Sequence, residues 1–249
     1  MARVTHLFKK LIKGEPITSF DSKGLICKSR YGIEGDINAD KFTPRQVLIT
    51  CEENLRIFSI KPGDLKENIV IKGYDVDSLH SGSVIKIGEV EIRITFNCEP
   101  CSYVETVRKG LAKDIHGKRG VLGVVLTDGE IKVGDEFIVL EKKFDAVPFN
   151  VADRFKWFID QIPEGKITTY TQIIKLLGLF SVYYRVIPTY IKKCSVLGSP
   201  VHRVIDSSGE LILTVEDQLQ KLNMEGVKVV NNKVDLEKYS WDPSDIYYK

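Results

Sequence analysis

The chain has 249 residues, 43% hydrophobic and 28% charged, with 36 Lys and Arg against 34 Asp and Glu. That length suggests one large or two ordinary domains, and the composition excludes a disordered acidic or basic tail. No apolar run approaches the roughly 18 residues of a membrane-spanning helix, and an odd count of five cysteines argues against a secreted disulfide framework.

Met1 to Lys13 carries basic residues but no long apolar run followed by a small-residue cleavage site. A mature cytoplasmic protein without a membrane partner is therefore expected. The next stretch reads as β-rich. Cys51–Ile60 is the one good helix inside it. Ser83–Ile87 and Glu89–Thr95 flank Gly88, and Glu89, Glu91 and Arg93 alternate with Val90, Ile92 and Ile94, so one face is buried. Val121–Thr127 and Glu130–Val133 flank Asp128-Gly129, a hairpin signal. Glycines recur at short intervals from Gly73 to Gly134. Many short strands with frequent turns predict a barrel or a folded-over sheet.

Chemistry in this half centres on Cys98-Glu99-Pro100-Cys101, directly after the strand that ends at Phe96. A thiol at a strand end beside a proline can be held partly exposed. Arg45, Lys118 or Arg119 nearby would favour its thiolate, which attacks sulfur or ligates a soft metal. Arginines also suit a phosphorylated or pterin-type anion. The single C-x-x-C lacks the second pair of a structural zinc site and the strand–helix setting of a redox dithiol. Cys101 is then a nucleophile, a metal ligand or a core thiol. Cys27 and Cys51 read as small core residues, and His80 and His116 as turn residues.

The pattern changes after Phe144-Asp145-Ala146-Val147-Pro148, which divides the chain into expected domains 1–145 and 146–249. Val151, Phe155, Phe158, Ile159 and Ile162 follow helical spacing, stopped by Pro163-Glu164-Gly165. Thr169 caps a second helix, Tyr170–Leu177, which ends at Gly178. A third spans Arg185–Lys193, with Pro188 tolerable in its first turn. A fourth runs over about Val215–Met224. Val227–Val230 and Lys233–Leu236 flank Asn231-Asn232 as a small hairpin. Helices joined by short turns and followed by a hairpin describe a winged helix-turn-helix type of module.

Charge is uneven here. Residues 165–205 carry Lys166, Lys175, Arg185, Lys192, Lys193 and Arg203 with no Asp or Glu, whereas residues 206–249 carry five Lys against nine Asp and Glu. A basic strip of this kind can meet phosphates despite a net charge of only +2, although chance clustering on a solvated face gives the same count.

Six elements in order resemble the MOSC family, the C-terminal domain type of molybdenum cofactor sulfurases. They are Gly35-Asp36, Arg45-Gln46-Val47, Glu67-Asn68-Ile69, Pro100-Cys101, the basic Gly117–Gly120 and Gly134-Asp135, within roughly residues 20–140. The resemblance implies a β-barrel that binds molybdenum cofactor (molybdopterin) or handles sulfur. Cys101 would be the catalytic sulfur carrier or molybdenum ligand, with Arg45, Gln46, Asn68, Lys118 and Arg119 around the cofactor. Asn38 stands where the family commonly has a histidine.

A second resemblance, over about residues 148–243, is to the DNA-binding domain of alkylguanine-DNA alkyltransferases, and especially to the alkyltransferase-like proteins. It rests on Ile162-Pro163-Glu164-Gly165-Lys166, Thr169-Tyr170-Thr171-Gln172-Ile173, Pro200-Val201-His202-Arg203-Val204-Ile205, Glu225-Gly226-Val227 and Trp241. The active transferases read Pro-Cys-His-Arg-Val; here Val201 replaces the acceptor cysteine. Valine has no lone pair to offer an alkyl carbon, so no alkyltransferase activity is expected. By resemblance, Tyr170 pushes on the target phosphate and Arg185 is the intercalating arginine on the third helix. Lys192, Lys193 and Arg203 complete a DNA face. Tyr170, Val201, His202 and Glu225 enclose the lesion. Placing Arg185 on the family arginine requires one fewer residue before Pro200, and Lys193-Cys194 stands where the family has an Asn-Pro hinge. His202 and Glu225 alternatively form a buried pair kept for stability, and Tyr170 and Arg185 are alternatively an ordinary helix-start tyrosine and a solvent arginine.

The resemblances imply a two-domain protein, a mostly-β barrel followed by an α-rich winged helix-turn-helix-like domain. Its partners would be double-stranded DNA containing alkylated guanine, downstream DNA repair proteins and molybdenum cofactor. The alternatives are a molybdenum cofactor or sulfur-transfer enzyme with a degenerate DNA-binding appendage, and a scaffold in which both sites are dead.

Overall fold

The computed structural model describes residues 1–12 and 24–249. Lys13 and residues 20–23, at the edges of two of the readings above, lie outside the described residues. The chain forms two compact units: Met1–Val147 together with Ser244–Lys249, and Pro148–Pro243. Residues 244–249, expected in the second domain, thus belong to the first.

Among the described residues the first unit contains ten strands: β1 (Arg3–Leu7), β2 (Gly24–Lys28), β3 (Gly32–Ile33), β4 (Val47–Cys51), β5 (Ile69–Lys72), β6 (Ser83–Ile87), β7 (Val90–Asn97), β8 (Val121–Val125), β9 (Gly129–Lys132) and β10 (Phe137–Lys143). Seven of them form one sheet in the order β1-β5-β4-β8-β7-β6-β10. A bridge between Arg3 and Glu136 joins its two edges, backed by Val4 N donating to Asp135 O at 2.9 Å and Phe137 N to Ala2 O at 3.0 Å. The sheet therefore rolls into a barrel and its edges are covered. Ile69 and Ile71 point into the main core, whereas Val70, between them, packs with Leu55, Leu65, Val104, Leu111 and Ile115 outside. That outer layer comes from α1 (Glu52–Ile57), α2 (Val104–Val107), α3 (Leu111–Asp114) and their loops. Strands covered on both faces need unbroken apolar runs, and β4 and β8 are buried at every position.

The hairpin at Gly88 forms as expected, with Ile87 opposite Val90 and Gly88 at φ +57. The expected hairpin at Asp128-Gly129 does not. Both edges of β8 are occupied, by β4 and β7, so β9 leaves the sheet and pairs with β2. Asp128 Oδ1 instead accepts from Ser29 N at 2.6 Å, just past the end of β2. The helix expected from Cys51 begins one residue later, because Cys51 is the last residue of β4.

The second unit begins with α4 (Val151–Ile159), capped by Asn150 Oδ1, which accepts from Ala152 N at 2.8 Å and Asp153 N at 3.4 Å. α5 (Tyr170–Leu176) is capped by Thr169. The third helix is displaced from its expected span. Arg185 ends a 3-10 turn, Ser181–Arg185, and α6 runs over Ile187–Val196. Pro188 decides this, since a proline fits only the first turn of a helix. α6 buries Ile187, Ile191 and Cys194, a stripe spaced by four and three. α7 (Gln218–Met224) starts later than expected, after Asp217 in the left-handed region. β11 (Thr168–Thr169) pairs in parallel with β12 (Val204–Ile205). β13 (Val229–Val230) and β14 (Lys233–Val234) form the small wing over Asn231 and Asn232, whose φ values of +49 and +64 suit a tight hairpin turn. α8 (Leu236–Tyr239) follows. No described helix is long and apolar enough to cross a membrane.

Candidate functional sites

In the first unit the loop after β7 carries both thiols of interest. Cys98 is buried and Cys101 half-buried. Each faces a guanidinium: Arg45 Nη2 lies 3.8 Å from Cys98 Sγ, and Arg119 Nη1 3.5 Å from Cys101 Sγ. Arg119 is positioned by donating from Nη1 to Glu99 O at 2.6 Å and from Nη2 to Leu65 O at 3.4 Å. Its buried Nε has no hydrogen-bond partner. Lys10 completes the positive lining. Burial pushes its ammonium down to about 8, against the upward pull of Asp36, Cys98 and Glu67. The sequence reading missed Lys10; its one signal was a basic pair, Lys9-Lys10, shortly after β1.

The other expected cofactor residues brace this site from behind. Asn68 Nδ2 donates to Asp36 Oδ2 at 2.8 Å and to Phe8 O at 3.2 Å, while its Oδ1 accepts from Leu48 N at 3.1 Å. Gln46 Nε2 donates to Asp40 O and Tyr248 OH, both at 3.0 Å, and its Oε1 accepts from Val125 N at 2.9 Å. Their amides are spent on protein partners rather than aimed at a ligand. Lys118 is held at the surface by Asp75 at 2.9 Å. Among the described residues, the cluster with metal-ligand spacing is Cys51, Asp75 and Asp77, and Cys101 is not part of it. Asp77, pushed up by burial to about 6, already accepts from Gly120 N at 2.7 Å and Asn54 Nδ2 at 2.6 Å.

In the second unit the segment Pro200-Val201-His202-Arg203 forms a 3-10 turn with Val201 4% exposed. Glu225, just past α7, gathers the two residues that follow Val201. His202 Nε2 lies 2.8 Å from Glu225 Oε1, and Arg203 donates from Nη2 to Oε1 at 2.6 Å and from Nε to both oxygens at 3.0 Å. Burial raises the Glu225 pKa, but the bonds from Arg203, His202 and Gly165 N outweigh it and hold the carboxyl at about 2. Arg203 Nη1 also donates to Ile162 O at 2.6 Å, so this guanidinium is engaged within the unit. The hydrogen bond between His202 and Glu225 is common to both readings of the pair.

Tyr170 is half-buried at the first position of α5, and burial together with Asp206 raises its pKa. Lys192 and Lys193 are exposed on α6, and Arg185 is exposed at the end of its turn. A groove of about 890 Å³ lies between α6 and the 214–216 loop, lined by Pro188, Ile191, Lys192, Val196, Val215 and Glu216 among others. None of Tyr170, Val201, His202 and Glu225 lines it. Cys194 is buried on α6, and burial pushes its thiol up.

Residues 42–138 match the MOSC domain, and residues 151–227 match the 6-O-methylguanine DNA methyltransferase, DNA binding domain. Over 97 residues the chain is 40% identical to a DNA base-flipping protein of Vibrio parahaemolyticus serotype O3:K6 (strain AQ3810), covering 34% of this chain and 89% of that protein. Among solved structures it is similar to the YuaD protein from Bacillus subtilis, with 18% identity, 58% of this chain and 98% of that one covered, and a TM-score of 0.50. It is also similar to S. pombe Atl1 in complex with damaged DNA containing O6-carboxymethylguanine, with 27% identity, 37% and 94% covered, and a TM-score of 0.34.

Proposed function

We propose that this chain, which belongs through its second unit to the alkyltransferase-like, base-flipping family and carries a MOSC domain in its first, recognises alkylated guanine in duplex DNA without removing the alkyl group. The observation that carries this reading is Val201, a buried hydrocarbon at the acceptor position, with the Cys194 thiol of this unit buried in α6 and its pKa raised. Alkyl transfer needs a thiolate within reach of the carbon, and none stands there. Base extrusion needs only a cationic face, a side chain to replace the base and a space to receive it. Lys192 and Lys193 supply exposed charge for such a face. A bound, unrepaired lesion then marks the site for downstream repair proteins.

The test is binding to duplexes with and without one O6-methylguanine, across a salt series, with mass spectrometry of the polypeptide afterwards. Tighter binding to the lesion with no added methyl mass is expected. A methylated second unit, or equal affinity for both duplexes at every salt concentration, refutes the reading.

A second activity is proposed for the barrel. Two thiols, each beside an arginine, with Lys10 within electrostatic reach of Cys98, fit an anionic group that tolerates sulfur ligation, and the partnerless Arg119 Nε lies buried in this layer. Molybdenum cofactor fits that description, with Cys101 as the soft ligand and Arg45, Arg119 and Lys10 offsetting its charge. When bound, it supplies atom-transfer chemistry at the metal. The same thiol can instead carry sulfane sulfur. Metal analysis and intact mass should then show molybdenum or a persulfide that Cys101→Ser loses; an unchanged load in that variant removes the assignment.

A further inference from the structure

We propose that Tyr184, rather than Arg185, is the side chain that fills the DNA stack when the target base leaves it; this rests on the base-flipping reading above. An extruded base leaves a flat gap, and an aromatic ring fills such a gap whatever the neighbouring bases are. The 3-10 turn Ser181–Arg185 presents such a group. Val182 is 63% exposed and Tyr184 37%, and Phe180, which precedes the turn, is 56% exposed.

The geometry of the turn separates the two candidates. Successive residues of a 3-10 helix point about 120° apart, and positions three apart eclipse. Tyr184 therefore shares a face with the small Ser181, whereas Arg185 shares one with Val182. The Tyr184 ring is also anchored. Its hydroxyl donates to Thr171 Oγ1 at 3.1 Å, and Thr171 Oγ1 lies 2.7 Å from Ser207 Oγ. Thr171 follows Tyr170 in the first turn of α5. The ring is thus tied to the element that carries the residue proposed to meet the target phosphate. A ring with two side-chain torsions and a tethered hydroxyl has little freedom left to lose on binding. The Arg185 side chain makes no hydrogen bond among the described residues and must be ordered along its whole length. Spacing agrees, since Arg185 stands one residue too near Pro200 for the role the resemblance gave it, and Tyr184 stands one residue further away. On its own face Arg185 is placed for a phosphate.

The experiment uses the full chain and a duplex carrying O6-methylguanine opposite 2-aminopurine, with an undamaged duplex as control. The ratio of the two dissociation constants reads lesion discrimination, and 2-aminopurine fluorescence reads stacking beside the orphaned partner. Tyr184→Ala is expected to lower the ratio at least tenfold and to abolish the fluorescence change. Tyr184→Phe, which keeps the ring and loses only the tether, should retain both within about threefold, and this shows that a loss in the alanine variant is not misfolding. Arg185→Ala should weaken binding to both duplexes alike and keep the ratio. The proposal is overturned if Tyr184→Ala keeps the ratio and the fluorescence change, or if Arg185→Ala is the variant that loses them. Wild-type protein that fails to discriminate the lesion at all overturns the base-flipping reading itself and this assignment with it.

Discussion

One carboxylate, Glu225, accepts from His202, Arg203 and Gly165 N at the base of the Val201 turn. Its folded pKa of about 2 lies below the ordinary value of 4.5. A carboxyl depressed by folding stabilises the fold fully above its ordinary pKa and loses that contribution as pH falls toward the folded value. Thermal melts followed by circular dichroism should therefore show the second unit weakening between pH 4.5 and about 2, with Glu225→Gln flattening that slope. Glu225→Ala leaves the Arg203 guanidinium, 16% exposed, without its counter-charge, and should cost about 3 kcal/mol at neutral pH. An alanine variant as stable as the parent would show that the pair is ornamental. Lys10 gives the opposite pH sign at the barrel site. An anion binds the ammonium form, so affinity for molybdate should hold below about 8 and fall above it, about tenfold by one pH unit higher. Lys10→Met should be weak and pH-independent over that range. The chain showed Glu225 as a partner of His202 but not its bond to Arg203, and Lys10 lies far in sequence from Cys98.

At the scale of elements, what the sequence made legible depended on whether neighbours in sequence are also neighbours in space. β6 and β7 are joined by a single tight turn at Gly88, so alternation in the two segments was enough to pair them. β8 and β9 look the same on paper, yet β8 sits inside the sheet with both edges taken. Local pattern cannot count the partners a strand will have. The helices of the second unit follow the same logic, with Asn150 and Thr169 as local caps and Pro188 as a local constraint on where α6 begins. α6 then turns Lys192 and Lys193 outward and the Ile187, Ile191, Cys194 stripe inward. Lys192→Ala should weaken binding to damaged and undamaged duplexes equally and reduce the log–log salt slope by about 1, as for one lost phosphate contact. An unchanged slope would place α6 away from the backbone.

For the molecule as a whole, the defining feature is that the chain crosses from the first unit to the second and then returns. Ser244–Lys249 pack into the barrel unit, where Tyr247 is buried and Arg93, only 1% exposed, receives them. Arg93 Nη1 donates to Tyr247 O at 2.6 Å and Lys249 O at 3.2 Å, and Nη2 donates to Asp145 O at 2.6 Å. One buried guanidinium thus holds both the outgoing and the returning segment of the first unit. Gln46 adds a second tie through Tyr248 OH, whose pKa burial pushes up to about 12. No pattern in the sequence announces this return, because its partners lie more than 150 positions away and are backbone carbonyls, which any sequence supplies. Removing residues 244–249 leaves Arg93 Nη1 and half of the Gln46 donor capacity without acceptors in a buried layer. The expected cost to the first unit is about 3 kcal/mol or more, read as a lower urea midpoint for exposure of the buried Cys27 thiol. Gln46 adjoins Arg45, so the truncated chain should also let an alkylating reagent reach Cys98 faster. The hydrogen bonds of Pro148–Pro243 described above use none of the removed residues, and lesion binding should persist in the truncated protein. A deletion that leaves Cys27 protected at the parent's urea midpoint would mean that Arg93 finds other acceptors and the returning segment is dispensable.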